Sequence, residues 1–188
     1  MRSLDEFRLV KGCQRGDAAA YTQLVENYQD ALYNAAYRIL ADAEEAADAT
    51  QSCFLKTIER IDTFDSSRPL FSWLYRIAIN EAIDRSRKRS RLTGLEEEWV
   101  QDESAGIEQQ LKDQQESADL QKTLMKLPTD ARVVIVMKHF NGLSYAEMAE
   151  VLEIPDKTVK SRLYSARQQL KAELEKVVSL RHYWDQEG

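Results

Sequence analysis

Cysteine is nearly absent from this chain: Cys13 and Cys53 are the only two in 188 residues. So few, so far apart, exclude a disulfide framework and a multi-cysteine zinc site. Six glycines and three prolines supply too little turn chemistry for an all-β fold. The two histidines, His139 and His182, stand in unrelated segments, with no glycine-rich phosphate loop, metal-ligand spacing or nucleophile motif beside them. No enzyme, metal, cofactor or small-molecule substrate is therefore expected. No apolar run approaches the roughly 18 residues of a membrane span. The opening MRSLDEFRLVKG lacks the apolar stretch of a secretory signal, so a cytoplasmic protein is expected.

What is present is charge and helical periodicity. The composition is 43% hydrophobic and 31% charged, with a net charge of −6. That excess is local. Residues 1–94 balance 14 basic against 14 acidic groups, residues 95–122 carry 2 against 9, and residues 123–188 carry 10 against 9. An acidic, core-poor stretch thus separates two near-neutral blocks and reads as a linker, at least in its first half. At the C-terminal end of the first block, Arg85, Arg87, Lys88, Arg89 and Arg91 crowd together.

Apolar residues recur at steps of three and four almost everywhere, so the expected fold is all-α. Ala47, Thr50, Phe54, Ile58 and Ile61 form one expected buried stripe, and Phe71, Leu74, Tyr75, Ala78 and Ala82 another. Asp17 is placed to cap the helical segment that follows it. In the last block a helix should start at Pro128-Thr129 and stop at Asn141-Gly142. Ser144 and Glu147 have capping-box spacing for a short helix ending near Glu153. Pro155 precedes a long helix through about Val178.

Two helices joined by a tight turn, the second long and cationic, suggest a helix-turn-helix. Val159, Leu163, Ala166 and Leu170 form its apolar stripe, and Lys157, Lys160, Ser161, Tyr164 and Gln168 lie opposite, with Ser165 at the edge. Residues near the start of such a helix reach base edges, and Arg162 and Arg167 flank them for phosphates. The plainer alternative is the solvated face of an amphipathic helix. After Phe71, the face away from the core carries Trp73, Arg76, Asn80, Ile83, Asp84 and Arg87. Aromatic, polar and basic groups interleaved in this way suit single-stranded DNA; a neighbouring segment covering Trp73 is the structural alternative. The preceding loop FDSSRPL offers serine hydroxyls and Arg68 to an extruded base. Asp48, Gln51, Ser52, Leu55 and Glu59 share a third face, either a protein docking site or a plain surface with one exposed leucine.

Four segments together resemble the extracytoplasmic-function (ECF) group of bacterial sigma factors. They are GDAAAYTQLVENYQDALYNAAYRIL, DAEEAADATQSCFLKTIERIDTFD, FSWLYRIAINEAIDRSRKR and LPTDARVVIVMKHFNGLSYAEMAEVLEIPDKTVKSRLYSARQQL, in the family's order and spacing. The resemblance implies two small helical domains. A sigma-2 domain at 1–93 would bind core polymerase and recognise and melt the −10 element. An acidic linker at 94–117 would join it to a sigma-4 domain at 118–188, whose helix-turn-helix reads the −35 element.

Carried over position by position, the resemblance implies that Asp48, Gln51, Ser52, Leu55 and Lys56 dock on the polymerase β′ coiled-coil. Ser52 stands where the family usually has Glu. Phe64, Ser66, Ser67 and Arg68 resemble the loop that captures a flipped −10 base. Trp73, Arg76, Asn80, Asp84 and Arg87 match the helix holding the non-template strand, with Asp84 where Asn is frequent. Lys157, Thr158, Lys160, Ser161, Arg162, Tyr164, Ser165 and Arg167 match the −35 reading helix. Ser165 is often Arg in relatives, and Asp156-Lys157 replaces a frequent Val-Gly, so promoter sequence cannot be borrowed from a relative.

The implied partners are core RNA polymerase, through β′ and β, promoter DNA, and an anti-sigma factor, in some cases tethered to the inner membrane. Free DNA binders are usually basic, so an acidic chain is expected to bind DNA poorly unaided. Its linker is expected to run along the polymerase's basic RNA-exit path. A stand-alone helix-turn-helix regulator is the alternative; it would bind its promoter tightly without polymerase.

Overall fold

The computed structural model describes residues 4–66, 68–93 and 119–185, with side chains as far as residue 176. The linker expected at 94–117, Ser67, and the side chains of the C-terminal tail lie outside the described residues. All described regular structure is helical, with no strand among the described residues.

Helices α1 (Leu4–Gln14), α2 (Ala18–Leu40), α3 (Ala43–Arg60) and α4 (Leu70–Thr93) form the first unit, with a 3-10 turn at Ile61–Thr63. Asp17 caps α2 as expected, accepting from the Ala19 N–H at 2.9 Å. Asp42 does the same for α3, accepting from Glu45 N–H. Such caps are worth about 1 kcal/mol each. α1 crosses α2 at Gly12, where a Cβ would stand 2.6 Å from the Cβ of Ala20; only glycine permits that approach. The start of α4 is tied to α1, the Leu70 N–H donating to Glu6 at 3.1 Å.

The expected α4 stripe is buried at Leu74, Tyr75, Ala78 and Ala82, with Phe71 partly covered. The expected α3 stripe is buried at Thr50, Phe54 and Ile61, whereas Ala47 is exposed and Ile58 is 48% exposed; Ala46, Ala49, Cys53 and Thr57 complete the buried face. Two overlapping periodic patterns run along α3, and the small-residue one faces α2 and α4. Ile83, expected on the outer face of α4, is buried as well.

The second unit begins with a helical segment at 119–125, α5. α6 (Thr129–Ile135) passes into a π-helical turn, Val136–Phe140. The Asn141 N–H donates to Val136 O, Leu143 N–H to Met137 O, and Gly142 takes φ 68°, which stops the helix as expected. α7 (Tyr145–Leu152) starts on the expected capping box: Ser144 N–H donates to Glu147 at 2.7 Å, and Glu147 N–H donates to Ser144 Oγ at 3.2 Å. α8 (Asp156–Asp185) packs Val159, Leu163 and Ala166 inward and runs beyond the expected end near Val178.

The two units pack directly against one another, and their apolar residues form one continuous cluster. At the junction lies Arg132, wholly buried. It donates to Leu124 O at 3.1 Å, to Leu127 O at 3.0 Å and, across the junction, to Ile39 O. Carbonyls at the C-terminal ends of α5 and α2 thus converge on one guanidinium, which complements both helix dipoles.

Candidate nucleic-acid and polymerase surfaces

α4 separates its two faces cleanly. Asn80, Asp84 and Arg87 are exposed, and Arg76 and Trp73 are half-buried. The Trp73 ring packs on Phe64, centroids 5.1 Å apart and planes tilted by 47°. Phe64 is only 5% exposed, so it supports Trp73 from below and does not stand free in the loop. Ser66 is half-buried; Arg68 is exposed, with Nε 3.8 Å from Asp65.

The basic run after Asp84 is split by what its members touch. Arg85 donates to Glu45 at 2.9 Å and to Asp48 and Ser52 at 3.4 Å each. Arg89 donates to Leu40 O at the end of α2. Arg87, Lys88 and Arg91 are the exposed members. Sequence alone could not sort these five, because i, i+4 spacing permits either direction.

The residues expected to meet the β′ coiled-coil divide in the same way. Gln51 and Leu55 are exposed and line a groove of about 510 Å³ between α2 and α3. Asp48 and Ser52 turn toward Arg85, and Lys56 pairs with Glu81 of α4. The apolar lining comes from Val25, Tyr33, Phe54, Leu55 and Ile58. Phe54 is a core residue as expected and also reaches the groove wall, whereas Ile58, expected in the core, lies half exposed; no periodicity pointed to Val25 and Tyr33. The competing 47-54-58 register was the available signal.

On the second unit, the first three turns of α8 present Lys157, Lys160, Ser161, Arg162, Tyr164, Ser165 and Arg167 to the surface. Tyr164 is 68% exposed, unusual for a large aromatic ring. Thr158 is half-buried, and its carbonyl accepts from Ser161 Oγ at 3.0 Å. Lys160 Nζ sits 5.6 Å from the Tyr145 ring centroid, a cation–π contact that aims it across the start of α7. Arg167 donates to His139 Nε2 at 3.1 Å. Desolvation beside an apolar groove, with Arg167 and Lys138 adjacent, holds that imidazole below its ordinary pKa and keeps it an acceptor. The groove, about 670 Å³, is walled by Leu120, Ile135, Phe140, Leu170 and Leu174.

Both cysteines are buried free thiols. Burial pushes Cys53 up to about 12, and its Sγ donates to Leu74 O at 3.3 Å; such thiols are inert. Among the described residues, no cluster of His, Cys, Asp or Glu could hold a metal ion. Nor is any described helix long and apolar enough to cross a membrane.

Two family models match the chain: sigma-70 region 2 over residues 24–92, and sigma-70 region 4 over residues 117–170. The ECF RNA polymerase sigma factor SigW of Bacillus subtilis is 36% identical, covering 88% of this chain and 94% of its own. The ECF RNA polymerase sigma-E factor of Escherichia coli is 31% identical, covering 85% and 89%. Among solved structures, CnrH in complex with the cytosolic domain of CnrY is similar with a TM-score of 0.67 at 31% identity, over 89% of this chain and 96% of that one. The sigma factor RpoE in complex with the anti-sigma factor NepR, from Bartonella quintana, has a TM-score of 0.66 at 27% identity, over 82% and 96%.

Proposed function

This chain belongs to the ECF group of sigma-70-family RNA polymerase sigma factors, and we propose that it brings core polymerase to promoters by reading the −10 element with α4 and the −35 element with α8. Sigma-2 would occupy 1–93 and sigma-4 would occupy 118–188, with 94–117 joining them through the enzyme. The observation that carries this reading is the pairing of two DNA-suited faces in one acidic chain. Asn80, Asp84 and Arg87 lie outward on α4, and Lys160, Ser161 and Tyr164 lie outward at the start of α8. Two such faces need a scaffold to fix their spacing, and a net charge of −6 disfavours unaided binding.

In this reading Trp73, braced by Phe64, stacks on an unpaired base, and Asn80 hydrogen-bonds it. Arg76 and Arg87 hold the strand backbone, and the loop at Ser66–Arg68 receives the flipped base. Lys160, Ser161, Tyr164 and Ser165 meet base edges, while Arg162 and Arg167 meet phosphates. The α2–α3 groove takes the β′ coiled-coil, and the polymerase performs the chemistry. Two solved relatives carry a bound partner, CnrY in one and the anti-sigma factor NepR in the other. That supports a cytoplasmic protein held by an anti-sigma factor, itself soluble or membrane-tethered.

Run-off transcription with core polymerase on a randomised promoter library tests the proposal. Enrichment of a −35 and a −10 motif at fixed spacing is expected. Tight, sequence-specific gel shifts by the chain without core enzyme would overturn it in favour of a stand-alone regulator.

A further inference from the structure

Two arginines of the proposed DNA-reading faces meet carboxylates: Arg76 pairs with Glu153 in the turn between α7 and α8, and Arg162 Nη1 lies 3.8 Å from Asp130 Oδ2. Lys160 is met differently. Its Nζ lies 5.6 Å from the centroid of the Tyr145 ring, and Lys138 Nζ lies 5.1 Å from the same centroid. One neutral ring thus attracts two ammoniums, one from the π-helical turn after α6 and one from the start of α8. The ring itself is fixed from below. Tyr145 is the first residue of α7, directly after the Ser144 cap, whose box with Glu147 sets the backbone there. Its side chain is half-buried and packs on the apolar cluster. Lys138 is half-buried and tethered, donating to Leu143 O at 3.0 Å, whereas Lys160 is exposed.

We propose that Tyr145 is a specificity-determining positioning residue, whose ring holds the Lys160 ammonium across the start of α7 so that it meets a guanine edge in the −35 element. The inference rests on the assignment of α8 to the −35 duplex. A lysine is a point charge on a flexible four-carbon stem, and phosphates, which carry no sequence information, surround every groove it enters. Restricting its rotamers before binding lowers the cost of ordering it at one base. An aromatic face does this without spending a donor, because the attraction is to the ring quadrupole and all three N–H groups stay available. A carboxylate in the same place would fill a donor and repel the duplex. Guanine offers two acceptors, O6 and N7, on its major-groove edge, the pair that lysine and arginine read. Lys138 narrows the choice further. A tethered like charge at the same ring opposes any rotamer that folds Lys160 inward toward Leu143 and leaves the outward ones.

The full-length chain, assembled with core polymerase, carries the test, read as the ratio of promoter affinities for guanine against each other base along the −35 element. Lys160→Ala should relax a guanine preference at one or two positions. Tyr145→Leu, which keeps an apolar side chain on the core, should relax the same positions about 2- to 5-fold and leave the −10 preference unchanged. Tyr145→Phe keeps the ring face and should retain the wild-type ratio. In a Lys160→Ala background, Tyr145→Leu should change the ratio no further. A ratio is insensitive to the folded fraction, so a loss of stability in Tyr145→Leu does not blur the result. A uniform loss across all −35 sequences, a loss that persists in the Lys160→Ala background, or failure of Tyr145→Phe to hold the ratio overturns the inference. The contact is also read without DNA. In proton NMR of the free chain the Lys160 ε-methylene signals, identified by their absence in Lys160→Ala, should be shifted upfield by the ring and should lose that shift in Tyr145→Leu. Unshifted signals in the wild-type chain overturn the contact. If the shift is present but Lys160→Ala leaves the −35 preference intact, the contact stands and the placement of Lys160 at a base edge is what fails.

Discussion

Arg85 of α4 donates from Nη1 to Oε2 of Glu45 on α3 at 2.9 Å, while Arg87, two residues on, points away from α3 toward Asp130. Two arginines of one basic run thus belong to different surfaces, and they should respond differently to removal.

Arg85→Ala is expected to lower stability by roughly 1–2 kcal/mol, because it strands Glu45 and Asp48 and opens a partly buried seam. Arg87→Ala should stay within about 0.5 kcal/mol of wild type. In holoenzyme the order reverses: loss of Arg87 should reduce the salt slope of promoter binding by about one, and Arg85→Ala should leave it unchanged. Urea melts and a salt titration of promoter affinity measure both.

Ile58 is half in solvent on a groove wall, so Ile58→Lys should leave thermal stability near wild type. It should weaken binding to core polymerase at least tenfold, about 1.4 kcal/mol. Competition against a labelled sigma factor reports that affinity directly. Unaltered competition would move the docking surface elsewhere.

Trp73 and Asn80 are seven residues apart, two helical turns, and so lie close to one stripe of α4. Asn80 is exposed, so Asn80→Ala should spare helicity, melting temperature and core binding. Permanganate reactivity of the −10 region on duplex promoter should fall, and open-complex formation, read as transcription, should be restored only in part by a pre-melted template, since a base contact of about 1–3 kcal/mol is gone. Trp73→Ala should in addition destabilise the fold, because the ring shares its packing with Phe64.

His139 gives the pH dependence its sign. Desolvation, and then Arg167 and Lys138, hold its folded pKa below the ordinary imidazole value of about 6.5. The unfolded chain therefore binds the proton more readily. This contribution is fully present above about pH 6.5 and declines as pH falls toward the folded pKa. His139→Gln keeps an acceptor for Arg167 without a titrating site. Melting curves taken from about pH 7.5 to 5.5 should fall less steeply for that variant than for wild type.

The helix-turn-helix was legible almost to the residue, because the signals that define it are local: a Ser144–Glu147 box, a stop at Gly142, and a stripe at Val159, Leu163 and Ala166. The α3 stripe was misread at Ala47 and Ile58 because two apolar registers coexist on that helix, and only the neighbours decide which one is covered. Arg132 carried no signal either. A guanidinium satisfied by backbone carbonyls leaves no complementary side chain in the sequence, and its Ile39 partner is 93 positions away. Tyr75 and Asn141, 66 positions apart, pose the same difficulty. Contacts of this kind arise from how the two units meet, and no periodicity encodes that.

Glu153 closes α7 with φ 54°, a left-handed conformation that glycine adopts freely and a branched or charged residue adopts at a penalty of about 1 kcal/mol. Glycine at this turn would relax the backbone and at the same time release Arg76. Selection for thermal robustness alone would therefore favour glycine here, at the expense of a contact that joins the two units. Retaining glutamate there keeps Arg76 paired across the two units and leaves the backbone strained, and a screen for stabilised variants of this chain should be read with that exchange in mind.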